Sequence, residues 1–183
     1  MPDPAVVIAD TRRWLERAVV GLNLCPFAKA VLVKGQVHFA VSAGEGVRDV
    51  LEDFTRELDA LVQCSAEERD TTLLAVPQGF GEFLLFEQLV AGAGRVVRKR
   101  GLEGVVQVAS FHPRFVFAGT DDGDVTNGTN RSPYPTLHLL REESIARAVA
   151  AFPEPAAIYE ANMATLRRLG PQGWAALGVG ASE

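Results

Sequence analysis

Cysteine is scarce in this sequence. Cys25 and Cys64 are its two cysteines, too few for a disulfide framework, and no Cys-x-x-Cys pair occurs to suggest a thioredoxin motif or a zinc ribbon. Histidine is scarce too, with three residues. No long basic run appears and the net charge is −5, so the electrostatic footprint of a general nucleic-acid binder is missing. The cluster Arg95, Arg98, Lys99 and Arg100 falls where a helix should end, a place the helix dipole favours for cations. No apolar run approaches the length of a membrane span, and Met1 to Asp10 lacks the basic start and apolar core of a signal peptide. Free thiols fit a reducing cytoplasm, which is the expected location.

What remains is ordinary globular material. The 183 residues are 48% hydrophobic and 22% charged, enough for one domain with a proper core. Apolar residues at helical spacing predict a first helix over 4–22, stopped by Asn23 and Pro26. Residues 30–33 and 37–41 flank Lys34-Gly35-Gln36 and read as a hairpin, or as one strand with a leading loop. Val47 to Val62 predicts a second helix, Thr71 to Val76 a strand, and Glu82 to Arg100 a third helix. Gly101 is placed to cap that helix, and Gly92 and Gly94 mark a kink or a close approach inside it. Val105 to Phe111 is a further strand. Helices over 144–152 and 155–169 close the domain, the second ended by Gly170-Pro171. Strand–helix–strand twice over implies parallel neighbours. The expectation is a single α/β (or α+β) domain over 1–171, with a flexible tail over 172–183. Its small mixed sheet would have roughly three to five strands packed by about five helices. A ferredoxin-like two-layer sandwich is the alternative.

Between strand and closing helices, 114–135 has no helical period and is dense in Asp, Asn, Gly, Ser, Thr and Pro. Long irregular stretches inside a compact domain are usually functional or disordered, and Phe115, Val116, Phe117, Tyr134 and Leu137 are available as anchors against disorder. His112 falls at a strand end, where open α/β sheets place ligands. His112 and His138 have the pKa range for proton transfer. Arg131 offers a fork for a carboxylate or phosphate. Asn127, Asn130, Ser132 and Tyr134 complete a candidate site for a small anionic ligand, against the plainer reading that Asp, Asn and Ser in loops bond their own backbone. Cys25, beside Pro26 and Lys29, is a candidate nucleophile or redox thiol, weighed against a small buried hydrophobe. Cys64 and His38 read as structural. Asp122-Gly123-Asp124 resembles the start of a calcium loop, but Asn127 and Pro133 stand where an EF-hand needs Gly and Glu. His112 and His138 with Asp124, or with Glu143 in its place, are metal candidates without ligand spacing to support them.

Two runs carry a resemblance. Gly-Leu-Asn-Leu-Cys-Pro-Phe-Ala-Lys at 21–29 and Asn-Arg-Ser-Pro-Tyr-Pro-Thr-Leu-His-Leu-Leu-Arg-Glu at 130–142, with Phe111-His112-Pro113 and Phe117-Ala118-Gly119, resemble the bacterial family called domain of unknown function 1415. The resemblance covers roughly residues 5 to 170. It implies one intracellular domain and assigns no role to any residue. The residues themselves point to a small-molecule enzyme (hydrolase, transferase or thiol chemistry) in which Cys25, His112, Arg131 and His138 converge on one cavity. A non-catalytic docking or assembly protein with Tyr134 as anchor, and a metal or haem carrier, are the alternatives.

Overall fold

Asp3 opens the first helix by accepting a hydrogen bond from the Ala5 amide, with Pro4 in the first turn, where its missing N–H costs nothing. The computed structural model describes residues 1–151 and 154–182. Helix α1 (Pro4–Trp14) runs into a π-helical turn, Leu15–Val20, whose wider winding ends at Asn23 in the left-handed conformation (φ 54°). Then come α2 (Ala28–Val33), β1 (Val37–Val41), α3 (Val47–Gln63), β2 (Thr71–Ala75), α4 (Phe83–Lys99) and β3 (Val106–Phe111). A 3-10 turn (Val125–Asn130), β4 (Thr136–Arg141), α5 (Glu142–Ala151) and α6 (Pro155–Ala176) complete the chain.

The four strands lie in the order β1-β2-β4-β3. β1 and β2 are parallel, as a strand–helix–strand unit dictates, but β2 and β3 are not neighbours: β4 lies between them, antiparallel to both. This corrects the expected parallel pairing, because the return strand was hidden at the end of the irregular segment. The hairpin expected over 30–41 is a short helix followed by a strand. Lys34 and Gly35, the latter at φ 70°, turn the chain between them. The expected end of α5 at Phe152 lies outside the described residues.

Side-chain alternation assigns the two faces of the sheet. Ala40, Leu74, Val76, Val106, Val108, Leu137 and Leu139 point to one side and bury Val50, Phe54, Leu58 and Leu61 of α3 with Phe86, Leu89, Ala93 and Val97 of α4. Gly92 lets α4 approach α3, since a Cβ there would stand 3.0 Å from Leu51. The other face presents Val37, Phe39, Leu73 and Phe111 to Trp14, Leu15, Ala18 and Val19 of the first helix and its π turn. Helices therefore cover both faces, in place of the two-layer alternative. Gly170 (φ 70°) breaks α6 before Pro171, and Trp174, Leu177 and Val179 beyond it pack into the second cluster. Arg13 donates to the carbonyls of Gly178 and Gly180, and Ser182 donates to Asp10, so the chain's end is tied to α1.

Candidate functional site

The irregular segment is built from its own polar side chains. Asn127, fully buried, accepts from the Phe117 amide (2.9 Å) and the Thr120 hydroxyl (2.8 Å) and donates to the Asp121 carbonyl (2.8 Å). Arg131 donates to the carbonyls of Phe115 and Asp122 and pairs with the Asp122 carboxylate. Asn130 donates to the Ser110 carbonyl at the edge of β3, and Ser132 to the Tyr134 carbonyl. Asp124 caps the 3-10 turn through Thr126, and those bonds hold its carboxyl below the usual range. The Tyr134 phenol donates to Asp10 (2.8 Å), and its pKa is pushed up to about 12 by burial and by that carboxylate. Apart from Tyr134, these groups bond mainly to backbone of the same segment or the adjoining strand, the use that Asp, Asn and Ser most often have in loops.

His112 is fully buried. Its Nδ1 accepts from the Arg114 amide (3.0 Å) and its Nε2 therefore donates to the Phe80 carbonyl (2.9 Å), between the rings of Phe83 and Phe86. Burial, foremost, lowers its pKa. Both nitrogens are spent on the fold.

His138 sits on the opposite face. Successive inward positions of the strands, Thr71 and Leu73 on β2, Ala109 and Phe111 on β3, and His138 and Leu140 on β4, floor a cavity of about 420 Å³. Trp14, Leu15 and Val19 form one wall, and the π turn widens the helix there, a feature common at functional sites. Cys25, Phe27, Ala28 and Val31 form a second wall, and Ile145, Ala148 and Val149 of α5 a third. Of the residues expected to converge, Cys25 and His138 line this cavity; His112 and Arg131 do not, nor do Asn127, Asn130, Ser132 and Tyr134. Among the described residues no group of three or more His, Cys, Asp or Glu side chains is arranged to hold a metal ion, so His112, Asp124 and His138 do not form one.

The protonation of His138 follows from its neighbour. The Thr71 hydroxyl has one proton and gives it to the Leu139 carbonyl (2.7 Å), so the 2.7 Å contact between Thr71 and His138 must be Nε2–H donating to the hydroxyl oxygen. Nδ1 then carries the lone pair, and no described residue donates to it. Burial pushes the His138 pKa down to about 4, so the ring is neutral near pH 7. It is a hydrogen-bond acceptor there and a weak base.

The cavity opens beside a polar basin lined by Lys34, Gln36, Glu67, Asp70, Glu143 and Arg147, with Asp70 common to both. Ser144 on α5 donates to Asp70 (2.5 Å) and accepts from Arg147, which also pairs with Glu143. Sequence reasoning missed Thr71, Asp70, Ser144 and Trp14. The period-2 pattern of Thr136 to Arg141 was the one signal that could have found the floor, because it sets His138 on the same side of a strand as Leu140.

No helix among the described residues is long and apolar enough to cross a membrane. The family described as "Protein of unknown function (DUF1415)" matches residues 6–176. No curated protein and no solved structure matches the chain.

Proposed function

The chain belongs to the DUF1415 family, whose description carries no activity, and from the cavity itself we propose that this protein binds a small, largely apolar molecule between its sheet and its first and fifth helices. One observation carries the reading. A concave site of about 420 Å³ has almost wholly apolar walls and, on its floor, one neutral imidazole with a free acceptor nitrogen. Ligand sites have this composition: apolar area for affinity and a few fixed polar groups for orientation. The anionic ligand expected around Arg131 has less support, since neither Arg nor Lys lines the cavity among the described residues. A matched test is calorimetric titration with 1-octanol of wild type and of Ala148→Trp, which fills the cavity from a helix that has no buried residue. Saturable binding by wild type and its loss in the variant are expected. No heat and no chemical-shift change with wild type would end the proposal.

Cys25 supports a second reading, thiol chemistry on the bound molecule. Its side chain shares the cavity with His138, and the hydroxyls there, Thr71 and Ser144, are already donating elsewhere. Under this reading, alkylation of Cys25 by iodoacetamide slows when octanol occupies the cavity. An unchanged rate at saturating octanol removes Cys25 from the site.

A further inference from the structure

The ligand of this cavity has an apolar body, but the cavity is not closed on itself. Asp70 and Ser144 stand where it meets the polar basin. Asp70 is half-buried, and its Oδ1 takes the Ser144 proton while no described residue donates to its Oδ2. His138, with its acceptor Nδ1, lines the same cavity. Three donors at the junction are already engaged: Thr71 gives its proton to Leu139, Ser144 to Asp70, and Arg147 serves Ser144 and Glu143; Gln107, also on the cavity lining, is exposed. Trp14 Nε1 has no partner, yet that atom is sealed from the cavity surface. Lys34 is exposed and lines the basin but not the cavity. The charged group at the junction itself is thus the Asp70 carboxylate, and the formal charge of the basin it shares is −1 (Lys34 and Arg147 against Glu67, Asp70 and Glu143).

Resting on the binding reading above, we infer that the ligand is an amphiphile whose polar end is a hydrogen-bond donor, an alkyl or aryl amine, with its apolar body against Trp14, Leu73 and Phe111 and its ammonium at Asp70. A carboxylate or phosphate end would face the Asp70 carboxylate across the same junction. At an effective dielectric between bulk water and protein surface, one such contact is worth about tenfold or more in affinity.

The test is a matched series of octylamine, 1-octanol and octanoate, titrated into the full chain by calorimetry at pH 7.5 and low salt. Octylamine should bind about tenfold more tightly than octanol, and octanoate more weakly than octanol. Asp70→Asn should collapse the preference for octylamine over octanol from about tenfold to near parity. Ala148→Trp should weaken all three. Octanoate binding as tightly as octylamine, or an amine preference that survives Asp70→Asn, overturns the head-group inference while the cavity reading stands. Failure of all three to bind overturns both.

Discussion

His138 makes the stability of this protein depend on pH in a way that can be isolated. An imidazole in an unfolded chain titrates near pH 6.5; burial holds the folded one at about 4. Between these values the unfolded state binds the proton that the native state refuses. The neutral ring's contribution is therefore fully present above about pH 6.5 and is lost as pH falls from there toward 4. Integrated to pH 5, the loss is about 2 kcal/mol relative to pH 7. Burial lowers the pKa of His112 and of His38 as well, in the latter case assisted by Arg69 and opposed by Glu57, so both add slopes of the same sign. The comparison is therefore wild type against His138→Gln, whose amide can still donate to Thr71 but does not titrate. Urea unfolding at pH 7 and pH 5 should show wild type losing about 2 kcal/mol more than the variant over that interval. Equal losses, within about 0.3 kcal/mol, would mean that His138 is not held neutral by burial, and the acceptor role of Nδ1 would go with it.

Asn127→Ala should cost about 2–3 kcal/mol in urea unfolding, because it strips the Phe117 amide of its buried partner, yet leave octanol affinity unchanged; a selective loss of affinity would return the site to the loop. Gly79→Ala should lower the unfolding midpoint far more than Gly101→Ala. Both glycines have positive φ, but a Cβ at 79 would stand 2.1 Å from the Glu45 carbonyl oxygen and one at 101 meets nothing; equal effects would mean that backbone conformation alone sets the cost. Tyr134→Phe should destabilise by about 1.5–3 kcal/mol, the range for a hydrogen bond to a charged group, here to buried Asp10. Unchanged unfolding would show that water replaces the phenol there.

The helices were legible because their faces are one-sided. Val50, Phe54, Leu58 and Leu61 repeat at helical spacing and all are buried. β2 was legible as an uninterrupted β-prone run, and its five residues are buried throughout. β4 was not, because it follows Pro133 and Pro135, carries a histidine at its centre and passes into α5 without a turn; only partners distant in sequence make it the strand between β2 and β3. The same non-locality hid the site. His138 was visible as a titratable residue, but its setting comes from Thr71, 67 positions earlier. The segment 114–135 is distinctive in composition, and composition does not distinguish a polar side chain aimed at a ligand from one aimed at its own backbone. Cys25 could be read either as thiol or as core, and it stands partly buried among apolar neighbours on the cavity wall.

The working surface proposed for this protein is the cavity over the sheet and not the loop that leads to β4. Amide chemical-shift mapping of the labelled protein during titration with 1-octanol tests it most directly. Shifts are expected at Thr71, Ala109, His138 and Ile145, with Asn127 and Arg131 unmoved. Shifts confined to residues 114–131, or none at saturating octanol, would contradict it.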